Sequence, residues 1–318
     1  MGKIKFTDKN GSFVIENPEN YSGLYLPLAG EMGLKSNITP SMAGDAKTDQ
    51  NHFLLEPVSI ENLHNNKNGR NFWCRIEGNG IWSVSGASAL QEAEKFTASQ
   101  DESKIEAGLM WQKLTRISKK YGIKSEVLSF VPTDKNIEIM YVTLENTSAE
   151  SIKFTPVAAI PLYGRSADNI RDHRHVTSLL HRISTQEYGI EVSPVLSFDE
   201  RGHQKNSTTY FVYGSKEDGT KPETFYPTNE MFIGEGGSFL NPEAVRTVKE
   251  GVKAGAKIQG KEAVGALAFE SVELKAGEKT GYIVVAGITD DVLEIEKTTV
   301  LYRTKEAVLE CFENTKRH

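Results

Sequence analysis

Between Gly108 and Leu162, β-branched and aromatic residues alternate with polar ones in runs broken by turn residues, and nothing else in the chain restricts its fold as much. Alternation of this kind puts every second side chain on one face of an extended strand. Met110–Ile117, Lys124–Val131, Ile137–Leu144 and Ile152–Ile160 read as four long strands. Tyr121-Gly122, Pro132-Thr133-Asp134-Lys135-Asn136 and Asn146-Thr147-Ser148-Ala149-Glu150 supply the turns between them. Consecutive hairpins with one buried face predict an antiparallel sheet. The pattern resumes at Tyr188–Val192, Thr208–Tyr213, Val264–Leu274 and Gly281–Val285, the last two joined through Lys275-Ala276-Gly277-Glu278. The expected body is therefore mainly β, a large antiparallel β-sandwich.

Helical signals are few and late. Asn241-Pro242-Glu243 offers a cap and a first-turn proline for a short helix through about Lys249. Asp290-Asp291 opens a second segment over 292–297, and Thr304 opens Lys305–Thr315, an amphipathic helix with Val308, Leu309 and Phe312 on one stripe. Residues 1–289 are assigned to the sandwich and 290–318 to a helical linker. A stop just after such a helix is the pattern of a cut inside a longer polypeptide. Asn62–Gly69, Gln91–Ser103 and Arg201–Ser207 read as loops. So does Gly234-Glu235-Gly236-Gly237-Ser238, whose spacing fits neither a dinucleotide fingerprint nor a P-loop.

The 318 residues carry 37 Lys+Arg against 43 Asp+Glu, a formal net charge of −6, and the basic residues are scattered, so a nucleic-acid partner is not expected. The N-terminus has no apolar signal-peptide core and no window approaches the roughly 20 apolar residues of a membrane span. A cytoplasmic location follows, with Cys74 and Cys311 as reduced packing groups.

The densest polar constellation runs from Tyr163 to His175, directly after the strongest strands. Its Arg165, Asp168, Asn169, Arg171, Asp172, His173, Arg174 and His175 suit a hydrogen-bonding face for a sugar or phosphate, arginine for bidentate anion contacts and Asp and His for paired hydroxyls. A solvated loop tied by Arg-Asp pairs is the plain alternative. His173-x-His175 could point two imidazoles to one side of a strand, but three nearby arginines oppose a dication and no metal is expected. The second cluster, Arg70–Ser83, reads as a hairpin around Gly78-Asn79-Gly80. There Trp73 and Trp82 suit either a sugar-stacking surface or the sandwich core. No nucleophile elbow is present, and Glu126, Glu138 and Glu145 show no sign of a paired dyad, so no residue is assigned to autonomous catalysis.

Arg70-Asn71-Phe72-Trp73, Gly80-Ile81-Trp82-Ser83 and the long string Ile160–Leu180 resemble the N-terminal region of glycoside hydrolase family 94 phosphorylases, most of all the 1,2-β-oligoglucan phosphorylases. The resemblance covers nearly the whole chain. It implies a supersandwich of the galactose mutarotase type, linker helices and an (α/α)6 barrel as partner in the same polypeptide. It also implies an oligosaccharide substrate, inorganic phosphate as co-substrate with no cofactor, and inversion to give α-glucose 1-phosphate. The catalytic residues of that family sit on the barrel and match no position here, so the expectation is a substrate-pocket domain whose Tyr163–His175 loop walls the site. Other readings are an aldose-1-epimerase-like enzyme, using His173 or His175 with a strand Glu, and a stand-alone carbohydrate-binding module.

Overall fold

The computed structural model describes residues 4–21, 23–58, 69–167, 174–199, 202–247 and 249–317. Two large antiparallel sheets are stacked on one another. The larger has eleven strands, in the order β1 (Lys5–Phe6), β2 (Phe13–Glu16), β9 (Glu102–Gly108), β10 (Trp111–Ser118), β11 (Ile123–Phe130), β12 (Ile137–Asn146), β23 (Lys279–Thr289), β18 (Thr209–Lys216), β15 (Gly189–Val192), β14 (Arg182–Thr185) and β20 (Lys257–Gln259). The smaller has six, β19 (Thr224–Thr228), β21 (Ala263–Ala268), β13 (Ile152–Leu162), β7 (Asn71–Ile76) and β8 (Gly80–Ser83), with β22 (Val272–Leu274) also paired to β13. A four-stranded sheet of β3 (Leu26–Ala29), β4 (Lys35–Ile38), β5 (Ala46–Asp49) and β6 (His52–Leu55), and a hairpin of β16 (Leu196–Asp199) and β17 (Gly202–Lys205), complete the β structure of the described residues.

Strand β12 shows why the sequence folds this way. Met140, Val142 and Leu144 enter the space between the sheets, with Phe72, Ala158 and Leu267 of the smaller sheet in the same core. Ile137, Ile139 and Tyr141 point the other way. They are covered by α5 (Val292–Leu301) and α6 (Lys305–Arg317) through Ile295, Tyr302, Val308 and Phe312. A strand buried on both faces needs a near-continuous apolar run, as Ile137–Leu144 has. Phe312 closes this layer with its ring 5.6 Å from Trp111 and 5.2 Å from Phe130. On the outer face of the smaller sheet, Val157, Ala159, Val264 and Ala266 carry α3 (Asn229–Ile233) and α4 (Glu243–Thr247), giving helix, sheet, sheet and helix layers.

Several local expectations are corrected. The Asn146–Glu150 turn does not close a hairpin: it carries the chain from β12 in the larger sheet to β13 in the smaller, and Lys275–Glu278 returns it from β22 to β23. Asn146 ties both crossings, since its Nδ2 donates to Glu150 O at 2.7 Å and to Leu274 O at 2.8 Å while Gly277 N donates to its carbonyl at 2.9 Å. Period-two alternation reports which face a side chain takes, not which strand lies alongside. Within the expected loop Gln91–Ser103, α1 (Ala89–Glu94) forms because Ser88 Oγ caps it by accepting from Gln91 N. Arg201–Ser207 contributes β17, and the short helix expected through Lys249 is α4, ending at Thr247. Of the expected loop Asn62–Gly69, only Gly69 lies within the described residues. The segment expected over 292–297 extends to Leu301 as α5.

Candidate functional site

Strand β13 ends at Leu162, and the chain continues beside β6: Tyr163 N donates to Leu54 O, Gly164 N to Phe53 O, and Phe53 N to Arg165 O at 2.9 Å. Gly164 takes φ +60°, the left-handed region that glycine enters without penalty. Asp168, Asn169, Ile170, Arg171, Asp172 and His173 lie outside the described residues. The chain resumes in α2 (Arg174–Thr177), whose backbone holds Arg174 and His175; their side chains also lie outside the description.

Arg165 staples the two ends of this segment. Its Nε donates to Tyr163 O at 2.9 Å, its Nη1 to Thr177 Oγ1 at 3.2 Å, and its Nη2 pairs with the Glu262 carboxylate. The guanidinium also lies 4.7 Å over the Tyr163 ring, whose hydroxyl donates to Ser166 O at 3.2 Å. Only 6% of Arg165 is exposed. Tyr163 and Arg165, expected on the ligand-facing side, are therefore in this chain the base that holds the segment.

His181 sits beneath the same base, fully buried, with Nδ1 3.1 Å from Lys261 O. Burial, and secondarily the Arg165 charge, push its pKa down to about 3, so it is a neutral imidazole. Glu262, which sequence reasoning did not single out, lies 97 residues from Arg165 in a turn with no local motif. Only the pairing of β13 with β21, Leu162 opposite Ala263, brings the two together.

Trp73 and Trp82 take the core alternative. Trp73 pairs with Ser83 and Trp82 with Cys74, so the two indoles lie on opposite faces of the β7–β8 hairpin. Each is 1% exposed: Trp73 faces the α3–α4 layer, and Trp82 faces the inter-sheet core, its Nε1 donating to Asp101 at 2.8 Å. They form no shared stacking surface. Arg70 is likewise internal, 1% exposed. It makes a bidentate pair with Glu138, in which Nη2 reaches Oε2 at 2.7 Å and Ser36 Oγ at 2.6 Å. Glu126 and Glu145 are in ion pairs with Lys124 and Lys279 at 2.9 and 3.1 Å, far from the chemistry of a dyad. Among the described residues no group of three or more His, Cys, Asp or Glu is arranged to hold a metal. Nor is any helix there long and apolar enough to cross a membrane.

No curated protein sequence matches the chain. Among solved structures, it resembles a bacterial glucoamylase complexed with acarbose at a TM-score of 0.51 and 8% identity, covering 100% of this chain and 38% of that one. A family 36 α-galactosidase from Geobacillus stearothermophilus aligns at a TM-score of 0.37 and 10% identity, over 87% of this chain and 42% of that one. The chain thus spans well under half the length of either enzyme, and the first likeness bears on the fold alone. A family described as "Glycosyl hydrolase 94, supersandwich domain" matches residues 41–305. That range takes in the smaller sheet, nine of the eleven strands of the larger, the stapled Tyr163–Leu180 segment and α5, and the chain belongs to this supersandwich family.

Proposed function

We propose that this chain is the substrate-pocket domain of an inverting glycoside phosphorylase acting on β-1,2-linked glucooligosaccharides. Membership of the supersandwich family over 41–305 carries the reading and supports a carbohydrate-active role. In the proposed reaction, a phosphate oxygen forms a bond to the anomeric carbon and the glycosidic C–O bond breaks. The departing oxygen takes a proton from an acid on an (α/α)6 barrel, and α-glucose 1-phosphate leaves with inverted configuration. This chain would contribute binding, not bond making: the Arg165–Glu262 staple would hold Asp168–His175 as a wall on the acceptor side. Val292, Leu293, Val300 and Leu301 are exposed on α5, an apolar face that suits contact with such a barrel. The compartment we infer is the cytoplasm, in keeping with two free cysteines.

His173→Ala and His175→Ala in the enzyme that carries this domain test the role of the wall. We expect KM for the oligosaccharide to rise at least tenfold, with KM for phosphate moving less than twofold. Unchanged kinetics in both variants would remove the segment from the substrate site.

A further inference from the structure

A cleft of about 190 Å³ opens where β7 begins and β8 ends, at the same end of the smaller sheet as the Tyr163–Leu180 segment but lined by different residues. At the ~30 Å³ a water occupies in the liquid, this is room for roughly six waters, the scale of one pyranose ring. Tyr21, Leu24 and Pro40 give it apolar surface, and Glu19, Glu92, Lys95 and Arg116 give it charge.

The buried Arg116 reaches it from β10. Its Nη2 donates to Glu19 Oε1 at 2.7 Å, and Nε and Nη2 donate to the carbonyls of Val84 and Ser85 at 3.3 Å. Its Nη1 makes no hydrogen bond among the described residues. The same holds for the Nδ2 of buried Asn71, whose Oδ1 accepts from the Ser83 hydroxyl at 2.7 Å. Gly86, at φ +77°, leaves the guanidinium its place, because a Cβ there would stand 2.5 Å from Arg116 Cζ. Backbone strain gathers around the same walls. Of the four described non-glycine residues in left-handed conformation, three adjoin lining residues without lining the cleft themselves: Asn17 precedes Pro18, Met42 lies between Ser41 and Ala43, and Phe96 follows Lys95. Such conformations persist only where their surroundings enforce them, and they concentrate at ligand sites.

Every cation on this wall has a carboxylate: Arg116 with Glu19, Lys95 with Glu92 at 3.0 Å, and Arg70 with Glu138 behind. An anion accepting from Arg116 Nη1 would share the cleft with the Glu19 and Glu92 carboxylates and be opposed by them. A polyhydroxylated neutral ligand would not be opposed, and its hydroxyls can accept from Arg116 Nη1 and Asn71 Nδ2 while its C–H face lies on Tyr21 and Leu24. We propose that this cleft binds one neutral glycosyl unit. Neutrality follows from the ion pairs; that the unit is a sugar rests on the carbohydrate reading above.

Calorimetric titration of the 318-residue chain with glucose, a linear β-1,2-glucotetraose and inorganic phosphate tests it. We expect saturable binding of the sugars, none of phosphate, and at least a tenfold loss in Ala87→Phe, which fills the cleft and leaves the Arg116–Glu19 pair in place. Tyr21→Ala, at a half-buried position, is the second variant, with a several-fold loss expected. The assignment is overturned by absence of sugar binding to the folded chain, by equal binding in both variants, or by phosphate competing with glucose. Loss of binding in His175→Ala with retention in Ala87→Phe would place the sugar on the segment instead, sinking the cleft and sparing the substrate wall. Unchanged kinetics in His175→Ala alongside lost binding in Ala87→Phe would do the reverse.

Discussion

Two arginines join distant parts of this chain in different surroundings. Arg70 and Glu138 are 1% and 4% exposed, enclosed with Ser36 Oγ and the carbonyls of Asn37 and Gly44. Arg165 is nearly as buried, yet its partner Glu262 keeps 24% of its side chain in solvent. A pair closed on every side has no water to replace a lost partner, whereas Glu262 can turn outward. The enclosed pair locks β4, β12 and the start of β7 at one point of the core. The border pair ties Tyr163 to Thr177, the two described ends of the segment we propose as the substrate wall.

Removing one member of each pair measures that difference. Arg70→Met leaves Glu138 charged and buried, and we expect a loss of about 3–5 kcal/mol of unfolding free energy in urea. The double variant Arg70→Met with Glu138→Leu should recover most of it, because an apolar replacement of both partners leaves no charge stranded. Arg165→Gln should cost less, about 2 kcal/mol, through lost charge-assisted hydrogen bonds, and should increase proteolytic cutting between Ser166 and Thr177. Equal losses at the two sites would erase the distinction between enclosed and border pairs.

His181 sharpens the contrast at the smallest scale. Its folded pKa is depressed to about 3 from 6.5, so the unfolded chain takes up a proton that the native one refuses. The sign follows directly: native stability is unaffected above pH 6.5 and is lost as pH falls towards 3, by about 1.4 kcal/mol per pH unit. His181→Leu should therefore gain on the wild type by up to about 2 kcal/mol between pH 6.5 and 5, read from urea midpoints at the two values. A constant difference would mean that the folded and unfolded chains protonate His181 alike. The Glu19 carboxyl works in the same direction at lower pH. Burial would raise its pKa, but the Arg116 charge and the Ser103 hydroxyl hold it below 4.5, so its stabilisation is present above that value and fades in stronger acid.

The strands of the larger sheet were legible because each of their faces has a consistent environment, as in Ile137–Leu144 and Gly281–Val285. Their partnering was not. Asn146–Glu150 has the composition of a hairpin turn and serves as an arch between sheets, since turn residues reverse a chain without choosing the strand it returns to. The site divides in the same way. The concentration of Arg, Asp and His after β13 is what makes that strand end a candidate, but the inward position of Arg165 was not legible, because Glu262 and Thr177 are its neighbours only after folding. Trp73 and Trp82 were open to two readings until register set them on opposite faces.

By itself, then, the sequence determined what depends on local periodicity and composition: a mainly β sandwich, an amphipathic terminal helix, and one strand end rich in hydrogen-bonding groups. The tertiary structure alone decided strand order, which arginines are enclosed, and where a cleft opens between Arg116, Asn71 and α1. Those features arise from contacts between residues tens to hundreds of positions apart, which period and spacing along the chain do not encode.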